Sequence, residues 1–239
     1  MKRTTPIALL SLLALAACLA PALAVAQQAP TSLSDVKMPV ATVPQIFSLQ
    51  GEFVRVAYNN EGFVTIGYRV ANGSVGEEWL MLDAGFTVRD GVKAYDLKRE
   101  AISLKTPDGK LLPLATQKEY ASAGYLPALN KRAQVTRDKI NYFPPEVNKA
   151  CALLFFSDLG KPKAPPSFDQ VDLTDNRACV GRLFFKVPGG IQTGQHWLVT
   201  KFATSEVQVP FRILTKEEEK FLRKNWDDLQ KALEEGVVD

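Results

Sequence analysis

Residues 63–71 read Phe63-Val64-Thr65-Ile66-Gly67-Tyr68-Arg69-Val70-Ala71. Val64, Ile66, Tyr68 and Val70 alternate with Thr65, Gly67 and Arg69, the period that gives an extended chain one apolar side and one wet side. The stretch reads as a β-strand with a single buried face. Its surroundings repeat the pattern. Phe53 to Tyr58 is a second strand, joined through the turn Asn59-Asn60-Glu61-Gly62. Asn72-Gly73-Ser74 ends the run, and Trp79 to Val88 follows with Leu80, Leu82, Ala84 and Phe86 on one side. Asp90-Gly91 marks a further turn. Ile102 to Lys105 and Leu111 to Leu114 flank Pro107-Asp108-Gly109-Lys110, where proline presets φ and glycine accepts the left-handed position of a hairpin turn.

The alternation lapses over residues 115–149. Thr116 to Glu119 has the form of a helix capping box, and Leu129, Ala133 and Ile140 recur at roughly helical spacing. Gly124 and Pro127 interrupt any single helix, so one or two short helices lying over the sheet are expected. The insert carries Lys118, Lys131, Arg132, Arg137, Lys139 and Lys149 beside Tyr120, Tyr125, Tyr142 and Phe143. A solvated basic face is one reading; a contact surface for a partner or an anionic envelope polymer is the other. Tyr120, Tyr125, Arg132 and Arg137 are its candidate contact residues.

Strand character returns at Cys151 and continues through Val171 to Thr174, Val180 to Val187, Gln195 to Phe202 and Val207 to Leu214. Short strands at this spacing, without long helices between them, predict a mainly β, antiparallel sandwich. Pro188 and Pro210 belong at strand ends or edges, where a missing N–H is tolerated. Residues 215–239 differ. Thr215 and Glu218 form another capping box, and Leu222, Trp226, Leu229 and Leu233 fall on one stripe of an amphipathic helix. That stripe either packs back on the sandwich or docks on an envelope protein or a second copy.

The beginning of the chain suggests an address. Lys2 and Arg3 precede an apolar run from Ile7 to Ala20, Pro21 breaks it, and Ala24-Val25-Ala26 offers small residues for cleavage, the form of a secretory signal peptide over residues 1–26. Leu15-Ala16-Ala17-Cys18 also matches a lipoprotein box, which would lipidate Cys18 and tether the product to the outer membrane. The still apolar stretch after Cys18 favours cleavage after Ala26 and a periplasmic or secreted product. Residues 27–44, with Pro30, Pro39 and Pro44, read as an extended leader; residues 45–214 then form the sandwich domain.

Without Lys2 and Arg3 the chain carries 27 basic against 26 acidic residues, a net +1. That balance gives no support to nucleic acid as a partner. Of the three cysteines, Cys151 and Cys179 follow the signal, and an even pair in an oxidising compartment predicts a disulfide between neighbouring strands. Closing a loop of that length is worth about 3–4 kcal/mol in the chain-entropy model. A redox or metal site built from the pair with His196, the one histidine, would need shorter spacing or more imidazoles.

Gly181-Arg182-Leu183-Phe184-Phe185-Lys186-Val187-Pro188, together with Val70-Ala71-Asn72-Gly73-Ser74, resembles bacterial extracytoplasmic immunoglobulin-like domains of unknown function. The resemblance implies an exported immunoglobulin-like β-sandwich and transfers no catalytic residue.

No motif marks chemistry. His196 lies in Gly194-Gln195-His196-Trp197, where a surface or capping role is expected, and no Gly-x-Ser-x-Gly elbow accompanies it. Trp79 and Trp197 suit either a sugar platform or the core. Pro188-Gly189-Gly190 reads as a turn between strands rather than a phosphate loop. The expectation is therefore a non-catalytic binding or scaffold protein of the bacterial cell envelope, without metal or cofactor. A carboxylate-based envelope hydrolase and a periplasmic small-ligand sensor are the alternatives.

Overall fold

The computed structural model describes residues 30, 32, 35–124, 126–158 and 163–234. The proposed signal segment with Cys18 lies outside the described residues, as do Tyr125 and the side chain of Leu233. Helices are α1 (Arg69–Asn72), α2 (Gln117–Ser122), α3 (Leu126–Val135) and α4 (Lys216–Glu234). Strands β1 (Ile46–Gly51), β2 (Val54–Tyr58), β3 (Gly62–Gly67), β4 (Trp79–Val88), β8 (Lys149–Leu153) and β10 (Arg177–Lys186) make a six-stranded sheet in the order β1-β2-β3-β4-β10-β8. A four-stranded sheet, β12-β11-β6-β7, combines β6 (Ile102–Lys105), β7 (Leu111–Pro113), β11 (Gly194–Lys201) and β12 (Glu206–Ile213). A ribbon pairs β5 (Tyr95–Lys98) with β9 (Gln170–Leu173). The fold is mainly β with a C-terminal helix, as the sequence predicts, and its sheets are antiparallel but for the pairing of β8 with β10.

One core joins the two larger sheets. Phe53, Ile66, Leu82, Phe86, Leu183 and Phe185 meet Leu104, Leu198, Val209 and Phe211, all essentially closed to water. Pro210 lies in β12, an edge strand, where the ladder can spare its N–H. The Pro107–Lys110 turn closes β6 on β7, with Gly109 at φ +82° and its N–H donating to the Thr106 carbonyl.

Two expectations change. The strand that begins at Phe63 stops at Gly67; Tyr68 caps a short helical turn, and the backbone bends there. The bend is bought by hydrogen bonds that an extended chain would lack. Tyr68 Oη accepts from Arg55 Nη2 at 2.6 Å and donates to the Glu52 carbonyl, while Ser74 Oγ donates to the Val70 carbonyl at 2.8 Å. Tyr68 thus enters the inter-sheet core and Val70 goes to the other side of the sheet.

The second change is that the supposed wet face is dry. Every residue of β3 is buried, Thr65 included. On β4 and β10 the two faces separate cleanly. Leu80, Leu82, Leu183 and Phe185 join the inter-sheet core, whereas Trp79, Met81 and Phe184 form a second core with Val70, Tyr120, Leu126, Leu129 and Ala133. The 115–149 insert therefore lies across the outside of the six-stranded sheet. Its returning segment lies close because β3 and β4 beneath it each offer a glycine. A Cβ on Gly85 would come within 2.5 Å of the Phe143 ring, and one on Gly67 within 3.0 Å of Ile140.

The far end of the insert is pinned by a parallel pairing. β8 lies alongside β10 with Cys151 opposite Cys179, and the two are disulfide-bonded with Cα atoms 4.2 Å apart. The connection from β8 to β10 is long, as a parallel neighbour requires, and contributes β9 to the ribbon on its way.

The cover makes a steric prediction. Gly85→Ala should lower unfolding free energy by about 1–3 kcal/mol, the cost of overpacking a filled contact. On a Phe143→Ala background the same substitution should cost much less, because the clashing ring is gone. Additive losses in a denaturant double-mutant cycle would show that residue 143 does not lie on Gly85.

Candidate functional site

The insert and the strand beneath it enclose a cleft of about 400 Å³. Its floor is β10, which presents Arg182 and Phe184 on the outer face; α2 and α3 supply Tyr120, Asn130 and Gln134; the segment after β8 supplies Phe156, Ser157 and Asp158; Lys163 to Pro165 form the rim. Tyr120, Phe156 and Phe184 lie in mutual contact, with ring centroids 4.9–5.1 Å apart.

A chain of hydrogen bonds crosses this aromatic bed. Tyr120 Oη donates to Asp158 Oδ1 at 2.5 Å and accepts from Asn130 Nδ2 at 3.0 Å. Asn130 Oδ1 accepts from Arg182 Nη1 at 3.0 Å, and Arg182 Nε lies 3.5 Å from Asp83 Oδ1. Burial pushes the Tyr120 phenol up to about 12, with the Asp158 contact adding to the effect, so it stays a hydrogen-bond donor at neutral pH. Burial also raises the Asp83 carboxyl, against the pull of Arg182.

The walls are braced from outside the cleft. Thr116 and Glu119 form the expected capping box, which starts α2. Gln117 then exchanges two hydrogen bonds with the backbone of Ser157, at 2.8 and 3.0 Å. Arg99 is the deeper brace. Its buried guanidinium donates to the carbonyls of Ala115, Phe155 and Phe168, pairs with Asp169, and lies over the rings of Phe155 and Phe156. One cation thereby ties the first residue of the insert to the segment that forms the opposite wall.

Of the candidate contact residues, Tyr120 lines the cleft as a buried member of the second core. Arg132 forks onto Glu77, at 3.0 and 2.7 Å, and fixes α3 to the loop before β4. Arg137 is exposed and adjoins Asp83 electrostatically. On α4, Leu222 and Trp226 are half-buried and Leu229 is buried. The helix begins with Thr215 and Glu218 capping each other, and Glu218 also receives Arg212 of β12 at 2.7 Å. Nothing in local periodicity marks Arg99, Asn130, Asp158 or Lys163; Arg182 is visible only as a charge inside an apolar strand.

The tryptophans are separated. Trp79 is buried under the insert on β4, and Trp197 is half-buried on β11 of the other sheet. His196 is not at the surface. Only 1 % exposed, it stacks on Phe211 with centroids 5.3 Å apart and places Nδ1 3.0 Å from the Gly194 carbonyl. Strand alternation explains the correction, because position 196 faces inward beside Leu198 and opposite Phe211.

Two outcomes follow. Burial depresses the His196 imidazole to about 4 from an ordinary 6.5. The unfolded chain therefore takes up a proton below pH 6.5 that the native chain refuses until near pH 4, and stability falls as pH drops through that window. The loss should reach about 3 kcal/mol between pH 7 and pH 4 and be absent from His196→Phe; parallel stability curves for the two proteins would contradict it. On α4, Leu229→Asp should destabilise by about 3 kcal/mol and Leu222→Asp by clearly less, read from urea midpoints. Equal effects would mean that the stripe is not buried at Leu229.

No protein-family model matches this chain, and neither a curated protein nor a solved structure matches it.

Proposed function

We propose that the protein is an exported, non-catalytic binding protein of the bacterial cell envelope, and that it holds a small ligand in the cleft beneath the 115–149 insert. The observation that carries this reading is the Asp158–Tyr120–Asn130–Arg182 chain on its aromatic bed. A binding site needs a few fixed polar groups on a largely apolar wall, and the cleft has the size of such sites. General acid–base catalysis needs a group that gains and loses its proton near neutral pH. The Tyr120 phenol is instead held as a fixed donor, far above that range.

Export is supported by the signal-like residues 1–26 and by the Cys151–Cys179 disulfide, a bond that persists in oxidising compartments. The resemblance to extracytoplasmic immunoglobulin-like domains points the same way.

The test is ligand-observed NMR on the chain from Gln27 onward, using monosaccharides, amino acids and dipeptides as the panel. At least one compound should bind, and Tyr120→Phe, which keeps the ring and removes the donor, should weaken it by about fivefold to tenfold. If no compound binds, or if the panel is converted to products, the reading is wrong.

A further inference from the structure

Arg182 has hydrogen-bonding capacity that the described residues do not use. Its position on β10 puts the guanidinium between Asp83 on the neighbouring strand and Asn130 on α3. The Nε contact to Asp83 is long, at 3.5 Å, and Nη1 donates to Asn130 at 3.0 Å. Nη2 meets no acceptor among the described residues, and a quarter of the side chain remains open on the cleft side. Lys163 stands at the rim of the same cleft, exposed, in a left-handed backbone conformation at φ +69°, and its ammonium has no ion-pair partner among the described residues. Gln134 offers an exposed amide from α3. The acid on the opposite wall, Asp158, is already engaged by Tyr120.

Resting on the binding reading above, we propose that the cleft selects its ligand through a carboxylate, which accepts from Nη2 of Arg182 with Lys163 as the second cation. A carboxylate oxygen takes a charge-assisted hydrogen bond from Nη2, and Lys163 adds charge at the mouth without demanding geometry. The Phe156 and Phe184 rings then take the body of the ligand, and Gln134 takes a polar substituent. A cleft of about 400 Å³ accommodates one sugar ring or a short peptide end. A uronic acid and a peptide C-terminus offer the same group.

Amide-resolved NMR titration of the chain from Gln27 onward separates these sources. The probes are D-glucuronate against D-glucose, and alanyl-alanine against its C-terminal amide. One acid should shift the amides of Asn130, Lys163 and Arg182 and bind about tenfold more tightly than its neutral counterpart, with affinity falling as salt is added. Which acid does so identifies the source. Arg182→Gln should abolish that tenfold preference. Lys163→Ala, at an exposed position that leaves the fold alone, should reduce it by about threefold. Equal binding of acid and neutral partner at the same amides would overturn the carboxylate assignment while leaving the cleft a binding site. No shift with any of the four probes would overturn the assignment as well, and the wider panel then decides whether the cleft binds anything.

Discussion

The outer face of the six-stranded sheet cannot be left in water. Trp79, Met81, Phe184 and Val70 line it, and exposing four large apolar groups side by side would cost several kcal/mol at about 25 cal/mol per Å². An antiparallel sheet ordinarily buries one face. This sheet must bury both, and the remaining architecture follows from how the chain supplies a second cover. The cover needs a starting point, which the Ala115 N–H provides by bonding to the Phe184 carbonyl at 3.0 Å, and an end point, which β8 provides beside β10. Between them the small positions Gly67 and Gly85 let the returning chain approach the sheet.

Buried guanidinium groups hold this arrangement in register. Arg99 and Arg55 are both nearly closed to water, and removing such a charge from solvent is costly unless its donors are matched. Arg55 spends them on the carbonyls of Gly51, Glu52 and Val54 and on the Tyr68 hydroxyl, Arg99 on carbonyls from three separate segments. Net stabilisation from such groups is small, but a slipped register would strand a buried charge. Arg69 works in the same way at the edge, joining Glu52 to Asp138 of the insert. The apolar cores supply the driving force, and the matched cations penalise any arrangement that would leave a buried charge unpaired.

The parts legible in the sequence are those whose cause lies within a few residues. The Pro107–Lys110 turn, the two capping boxes at Thr116 and Thr215, and the inner face of β4 all depend on neighbours at fixed short spacing. The disulfide was legible through chemistry rather than pattern. The alternation through Phe63–Ala71 misled on two counts because period alone does not say what lies on the second face. Thr65 and Gly67 look like a solvated side, yet small residues are also what a closely laid cover requires. Continuation of the period past Gly67 likewise hid the bend at Tyr68, whose hydroxyl meets Arg55 of another strand. β5 is four residues long with polar Asp96 and Lys98, and its partner β9 is distant in sequence. The cleft was illegible for the same reason: Tyr120, Asn130, Asp158 and Arg182 meet only after the insert has folded over the sheet.

Placing the cleft proposed as a binding site under a cover, rather than between the sheets, separates two demands on the chain. The inter-sheet core must be dry and tightly filled, so a ligand cavity there would be made at the expense of stability. Under the insert, the sandwich proper contributes β10 and Leu153 at the end of β8, while the other walls come from α2, α3 and the segment after β8. Those walls are fixed by contacts that avoid the cleft interior: Gln117 to Ser157, Arg132 to Glu77, and Arg99 to three carbonyls. The polar groups inside are consequently held in place before any ligand arrives. Such preorganisation limits the entropy lost on binding and favours a ligand whose groups match the existing geometry. Arg182 serves both demands, since its Nε and Nη1 hold Asp83 and Asn130 while the side chain also lines the cleft.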